Sequence, residues 1–261
     1  MNSSISKCII HIWGAGEHDL SPLSKAAAAN AKLLNPDFEY LFFDDKKIDA
    51  FVLDRFPEYG NVLNSFRFPI QRYDFFRYLA IYHFGGFYFD LDMFLYKNLS
   101  DLLEYSSVFT FERIGINQYL KKKHNMHWDI GNYAFGAAPG HPFIRAIIEN
   151  CVRAQKAPEW PEIMLKSIPW LFRKDAYVLC TTGPGLVSRT YAENPHLQST
   201  VKILMPENMY DRKNWNQFGR YGIHLMNSAW RRKRNRLYRV IYNYHYSRTE
   251  NRNIRLAQMN K

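Results

Sequence analysis

RYDFFRYLAIYHFGGFYFDLD, residues 72–92, is the stretch on which the reading of this chain turns. From about Pro69 to Phe84 the pattern is helical and heavily aromatic, and Gly85-Gly86 supplies the left-handed backbone that commonly ends a helix. Phe87 to Asp92 then reads as a strand. Side chains on a strand alternate between faces, which puts Tyr88, Asp90 and Asp92 on one face and Phe87, Phe89 and Leu91 on the other. Two carboxylates at that spacing repel each other unless a cation lies beside them, and a hard divalent ion with oxygen ligands is the natural partner. A D-x-D alone often occurs by accident, as a pair of solvated carboxylates. The helix before it adds weight. Asp74 and Arg77 are three apart on one helical face of an otherwise apolar segment, either as a local salt bridge or as part of a prepared polar site.

Around this block the pattern alternates. Lys7 to Trp13 (KCIIHIW) reads as a strand, and Ser21 with Pro22 opens an alanine-rich helix to Leu34. Phe38 to Phe43 reads as a second strand. Further strands are expected at Ser107 to Phe111, Tyr133 to Ala137, Tyr177 to Cys180 and Val201 to Leu204. Helices are expected after His141-Pro142, after Gly183-Pro184, and over Glu162 to Phe172. A β-α-β opening of this kind implies an α/β sheet with covering helices.

The 261 residues are 47% hydrophobic and 16% aromatic, enough for one sizeable core, and no Gly/Ser- or Pro-rich linker divides them. Cys8, Cys151 and Cys180 are widely spaced, which indicates neither a disulfide framework nor a CxxC site and fits a reducing compartment. The start, MNSSISKCIIHIWG, runs into a core-like strand rather than a secretory signal, and no stretch approaches the roughly 18 apolar residues of a membrane span. A cytoplasmic protein is expected, peripheral on the cytoplasmic face of an inner membrane.

The net charge of +11 is concentrated at one end. Residues 231–261 hold ten basic groups and one acid, Glu250, a net of +9, which leaves +2 for residues 1–230. The expected organisation is a catalytic domain over 1–230 and a basic amphipathic tail over 231–261. Leu237, Val240, Ile241 and Tyr244 recur in that tail at helical spacing and read as an interfacial segment on anionic lipid. A solvated tail, nucleic-acid binding and contact with an anionic glycan are its rivals.

The order Asp-x-x-Arg followed by GGxYxDxD resembles the glycosyltransferases that carry the DXD sugar-binding region, among them yeast-type initiating mannosyltransferases, bacterial capsular polysaccharide enzymes and the catalytic domains of clostridial glucosylating toxins. IHIWG (10–14), GNYAFGAAPGHPF (131–143), TTGPGLVSR (181–189) and HLMNSAW (224–230) agree with it in order. The resemblance implies a GT-A fold, a Rossmann-like mixed sheet with helices on both faces. It also implies a nucleotide-sugar donor, a saccharide or lipid-linked acceptor, transfer with retention of configuration, and Mn2+ or Mg2+.

Residue by residue, the resemblance puts the metal on Asp92 and His224, with Asp90 contacting donor ribose or sugar or reaching the metal through water. Trp13 would stack on the base, although a core tryptophan is an equal reading. Asp74 and Arg77 match positions that contact donor sugar and phosphate, and Tyr88 shares the face of Asp90. Thr181 or Thr182 would face the donor, Asn132 the sugar and acceptor, and Trp230 would close over the donor. Ala229 stands where relatives have Ser, so either Asn227 or the displaced Ser228 would serve the metal.

The leading function is therefore a metal-dependent transferase using a nucleotide-sugar, expected to be UDP-linked, in bacterial capsule, lipopolysaccharide or other surface polysaccharide synthesis. A metal-dependent phosphoryl-transfer or hydrolytic enzyme would use the same aspartates, but the acidic ligands of a two-metal site are missing. No RNP, helix-turn-helix or zinc signature favours a nucleic-acid-binding protein, and no nucleic acid is expected as partner.

Overall fold

A computed structural model describes residues 4–115, 117–166, 168–225 and 236–259; Asn227, Ser228 and Trp230 lie outside the described residues. The chain opens with β1 (Cys8–Ile12), α1 (Pro22–Leu34) and β2 (Glu39–Phe43). Ser21 caps α1 by accepting the Ser24 N–H, with Pro22 at the first helical position, as read from sequence. There follow α2 (Asp45–Arg55), α3 (Gly60–Ser65), α4 (Pro69–Phe84), β3 (Gly86–Phe89), β4 (Met93–Leu95), β5 (Ser107–Ile114), α5 (Gln118–His124) and β6 (Trp128–Ala137). The chain continues through α6 (Pro142–Lys156), α7 (Glu159–Leu165), α8 (Arg173–Thr181), α9 (Pro184–Glu193), β7 (Lys202–Leu204), β8 (Gln217–Phe218), β9 (Gly222–His224) and α10 (Arg236–Met259).

Six strands form a mixed sheet in the order β2-β1-β3-β6-β5-β7, in which β6 runs antiparallel to its neighbours β3 and β5. A second, three-stranded sheet, β4-β9-β8, is antiparallel. The large sheet separates two cores. Tyr88 points into the one shared with α4 and α6, whereas Phe87 and Phe89 point into the other, as strand alternation requires. Helix α4 buries almost every side chain from Asp74 to Ile81, which explains its apolar character all round. Gly85 and Gly86 both have positive φ, and a Cβ at Gly86 would run into the Cys8 carbonyl. The double glycine thus ends α4 and lets β3 lie close against β1.

Four local expectations are corrected. The strand after Gly86 stops at Phe89, because Asp90 N–H bonds the Tyr133 carbonyl and Met93 N–H returns to the Asp90 carbonyl. Asp90, Leu91 and Asp92 therefore form a turn joining the two sheets, and Asp92 reaches the side of Asp90 through that turn rather than through the pleat. Tyr177–Cys180 belongs to α8, where Ala176 and Cys180, one turn apart, enter the core. Packing on that face overrides the β-preference of Tyr-Val. The expected helix over Glu162–Phe172 is broken: α7 ends at Leu165, Pro169 cannot continue a helix, and Trp170–Phe172 forms a separate 3-10 turn. The strand expected from Tyr133 begins at Trp128, so Gly131 and Asn132 lie inside β6.

Much of the basic tail is α10, and its second half is attached to the body. Tyr246, Glu250, Asn253 and Ile254 recur at helical spacing and are buried. Glu250 pairs with Arg212 at 2.9 Å and Arg113 at 3.8 Å, Asn253 donates to the Gly115 carbonyl, and Ile254 joins Phe111, Ile114 and Trp215. Deleting residues 237–261 would strip a packed helix from the domain, not trim a solvated extension.

Candidate active site

The site forms where the two sheets meet. The antiparallel pairing of β4 with β9 sets Met93 opposite His224, and Leu225 N–H bonds the Asp92 carbonyl at 3.0 Å. That ladder closes a long excursion of chain and brings His224 to the D-x-D turn. His224 Nε2 lies 2.9 Å from Asp92 Oδ1 and 4.0 Å from Asp90 Oδ2. One ligand atom from each of Asp90, Asp92 and His224 falls within 4.8 Å of the others, the one cluster of three or more such residues among those described. Tyr133 lies flat on the imidazole at 4.3 Å and holds its plane. Burial works against protonation of His224, but its hydrogen bond to Asp92 and the charges of Asp90 and Asp92 outweigh that, so the ring titrates above its usual range.

Beneath Asp90 lies a buried polar network on α4. Arg77 makes an ion pair with Asp74 at 2.9 Å, reaches Asp90 Oδ1 at 3.3 Å, and donates to the Asn132 carbonyl at 2.9 Å. Its guanidinium lies 4.4 Å from the ring centre of Tyr88, whose hydroxyl donates to Asp90 Oδ1 at 2.6 Å. The Thr182 hydroxyl and the Asn132 amide donate to the two oxygens of Asp74. Burial pushes the Asp74 carboxyl up to about 6 against the pull of Arg77. Burial likewise disfavours charge on Arg77, yet Tyr88, Asp74 and Asp90 hold it firmly protonated.

Asp90, Asp92, His224, Tyr88, Asp74, Arg77, Asn132 and Thr182 are thus brought into one connected cluster. Their depths differ. Asp90 keeps 30% of its side chain exposed, against 7% for Asp74 and 5% for Arg77, so the last two touch Asp90 from below rather than opening to solvent. Thr182 is fully buried and bonds Asp74, while Thr181 accepts from Gln71 and donates to the Tyr177 carbonyl. Trp13 follows β1 directly, its N–H on the Phe43 carbonyl, and its side chain is 40% exposed, which excludes the core reading. His11 is buried against Tyr40 and is structural, with burial depressing its pKa to about 3. Asp129 pairs with Arg113 at 3.3 Å.

Reading by motif missed Tyr133, Gln71 and Glu112. Glu112 lies at a break in the β5–β6 register, and its charge helps to raise the pKa of His224. A lone acid in the apolar run SVFTFERI was its signal. Gln71 carried none beyond being polar on an apolar helix.

The family described as glycosyltransferase sugar-binding region containing DXD motif matches residues 24–109. The chain is 26% identical over 178 residues to the mannosyl phosphorylinositol ceramide synthase CSH1 of Saccharomyces cerevisiae, covering 66% of this chain and 40% of that protein. It is 30% identical over 148 residues to inositol phosphoceramide mannosyltransferase 2 of Schizosaccharomyces pombe, covering 56% and 39%. The chain thus spans about two fifths of the length of these curated relatives. Among solved structures, the UDP-bound glycosyltransferase domain of the YGT toxin superposes with a TM-score of 0.51 at 9% identity over 77% of this chain and 80% of that one, a likeness of fold. The D-x-D turn, the GT-A sheet that carries it and these matches agree: over residues 24–109 the chain is similar to the glycosyltransferase sugar-binding region that contains the DXD motif, and its fold is that of the GT-A glycosyltransferases.

Proposed function

We propose that this protein transfers a hexose, with retention of configuration, from a UDP-linked or other nucleotide-linked donor to a lipid-linked or free saccharide. Asp90, Asp92 and His224 would hold Mn2+ or Mg2+. The observation that carries this reading is the convergence of those three side chains within 4.8 Å from two distant parts of a DXD chain. Two carboxylates and an imidazole fit a six-coordinate ion that accepts nitrogen, which favours Mn2+ over Ca2+. When bound, such an ion neutralises charge on the diphosphate as the sugar–phosphate bond breaks. Tyr88 and Arg77 fix one oxygen of Asp90 and leave the other directed toward His224.

The relatives are named for phosphorylinositol ceramide and inositol phosphoceramide, a ceramide lipid with an inositol-phosphate headgroup. That supports a lipid-linked acceptor ahead of the bacterial capsule or lipopolysaccharide expected from sequence, and it puts nucleotide-linked mannose into the donor screen. Slow hydrolysis of one nucleotide-sugar, dependent on Mn2+ or Mg2+ and abolished by chelation, is the expected result of that screen. Hydrolysis of phosphate esters without sugar transfer would favour the phosphoryl-transfer alternative.

Two further results are expected. Because the exposed Trp13 ring is suited to stack on a base, Trp13→Ala should weaken nucleotide binding by about 1 to 3 kcal/mol, measured by calorimetry, with cation affinity unchanged. Unaltered nucleotide affinity would remove the stacking role. A proton and a metal ion compete for His224 Nε2, and the pKa of that ring is raised. Mn2+ affinity should therefore fall as pH drops through the range where His224 protonates, and His224→Ala should flatten that dependence while weakening binding. A pH-independent Mn2+ affinity in the parent protein would take His224 out of the site.

A further inference from the structure

Away from the site, three neighbouring elements carry exposed interfacial and basic groups. On α10 the stripe opposite the buried Tyr246, Glu250 and Asn253 holds Ile241, Tyr244, Arg248, Arg252 and Arg255 by helical spacing. Tyr244 is 67% exposed. The Trp170–Phe172 turn flanks this helix, with the Phe172 ring 5.1 Å from His245 and 5.9 Å from Tyr246. Beside that contact, Trp170 is 81% exposed, with Leu171 next to it and Arg173 and Lys174 following. The third element is the end of α5, which packs against α7, the helix that precedes the Trp170–Phe172 turn. Lys122, Lys123 and, from beyond α7, Lys166 line an open cleft of about 460 Å³ around the exposed Ile163.

A water-exposed tryptophan beside exposed Leu171, with Ile163, Ile241 and Tyr244 also exposed, gives up apolar burial that packing among the described residues does not explain. An anionic bilayer satisfies both halves of the pattern. Indole and phenol rings sit at headgroup depth, while lysines and arginines meet lipid phosphates. A nucleic acid would answer the charge but leave Leu171, Ile163 and Ile241 in water. No helix among the described residues is long and apolar enough to cross a membrane, so the contact is with its surface.

We propose that this composite face rests on an anionic lipid bilayer, with Trp170 and Tyr244 at the interface and the basic groups of α5, Lys166 and α10 against the headgroups. It goes beyond the tail by making an internal turn of the catalytic domain half of the anchor, and it is separate from the donor chemistry.

The test is flotation of the full-length protein with vesicles of phosphatidylcholine alone or mixed with phosphatidylserine, with donor affinity measured on the same samples. Binding is expected only to the mixed vesicles and should fall with added salt. Trp170→Ser, and separately Arg248→Glu with Arg252→Glu, should each weaken it by about tenfold or more with nucleotide affinity and thermal unfolding unchanged. No binding to anionic vesicles at low salt overturns the proposal, as does tight RNA binding without vesicle binding. Wild-type vesicle affinity in Trp170→Ser would also overturn it, returning any contact to α10 alone. Loss of nucleotide affinity in the parent protein would count against the transferase reading and not against this face.

Discussion

Asp92→Asn is expected to lower transfer by about three orders of magnitude and to abolish specific Mn2+ binding, with the fold intact. The substitution keeps the volume of the side chain and removes its charge. Asp92 lies on a turn held by the Asp90–Met93 and Leu225–Asp92 backbone bonds, which do not involve its carboxylate, so the turn should persist. What goes is the anionic oxygen 2.9 Å from His224 Nε2. Charge stabilisation by a bound divalent ion is worth several kcal/mol in such a reaction, and about 4 kcal/mol is a thousandfold in rate. The check is a kcat measurement beside a Mn2+ titration and a thermal melt. Normal turnover with normal metal dependence would move the ion away from Asp92.

How far the sequence discloses this site depends on the range of the interactions that build it. Residues 72–92 are legible because their determinants are local: proline opens α4, the double glycine ends it, and alternation along β3 separates Tyr88 from Phe87 and Phe89. Asp74, Arg77 and Asp90 fall within one such stretch. His224 is different. It is delivered by β4 and β9, three residues each, too short for periodicity to register, and only the likeness of HLMNSAW to a family pointed to it. The same limit hid Tyr133 and Gln71, whose roles arise from what packs against them. At 177–180 local preference favoured a strand, and the apolar face of α8 against the core decided otherwise. The basic tail misled through its average charge: the inward stripe of α10 from Tyr246 to Ile254 includes its one acid, Glu250, placed against Arg212 and Arg113.

Arg77→Met should destabilise the fold by about 3 to 5 kcal/mol, because removing one member of a buried pair leaves the other charge uncompensated. Asp74 would be that group, 7% exposed and able to keep only its bonds from Thr182 and Asn132. Its pKa, already raised to about 6 beside Arg77, would rise further and the carboxyl would take up a proton on folding, so the loss should grow as pH increases. For a chain of this size the melting temperature should fall by roughly 10 °C. The double variant Asp74→Leu with Arg77→Met tests the cause, since replacing both members of a buried pair by apolar groups is often close to neutral. Most of the lost stability should return. Activity should not, because Asp90 would still lack the guanidinium 3.3 Å from its Oδ1 and the Asn132 carbonyl would lack its donor. Arg77 would then be a positioning residue, acting on the donor site through Asp90 and β6. If the double variant recovered activity together with stability, Arg77 would serve the fold alone; if the single variant melted like the parent, the Asp74–Arg77 pair would not be the buried hub that its distances describe.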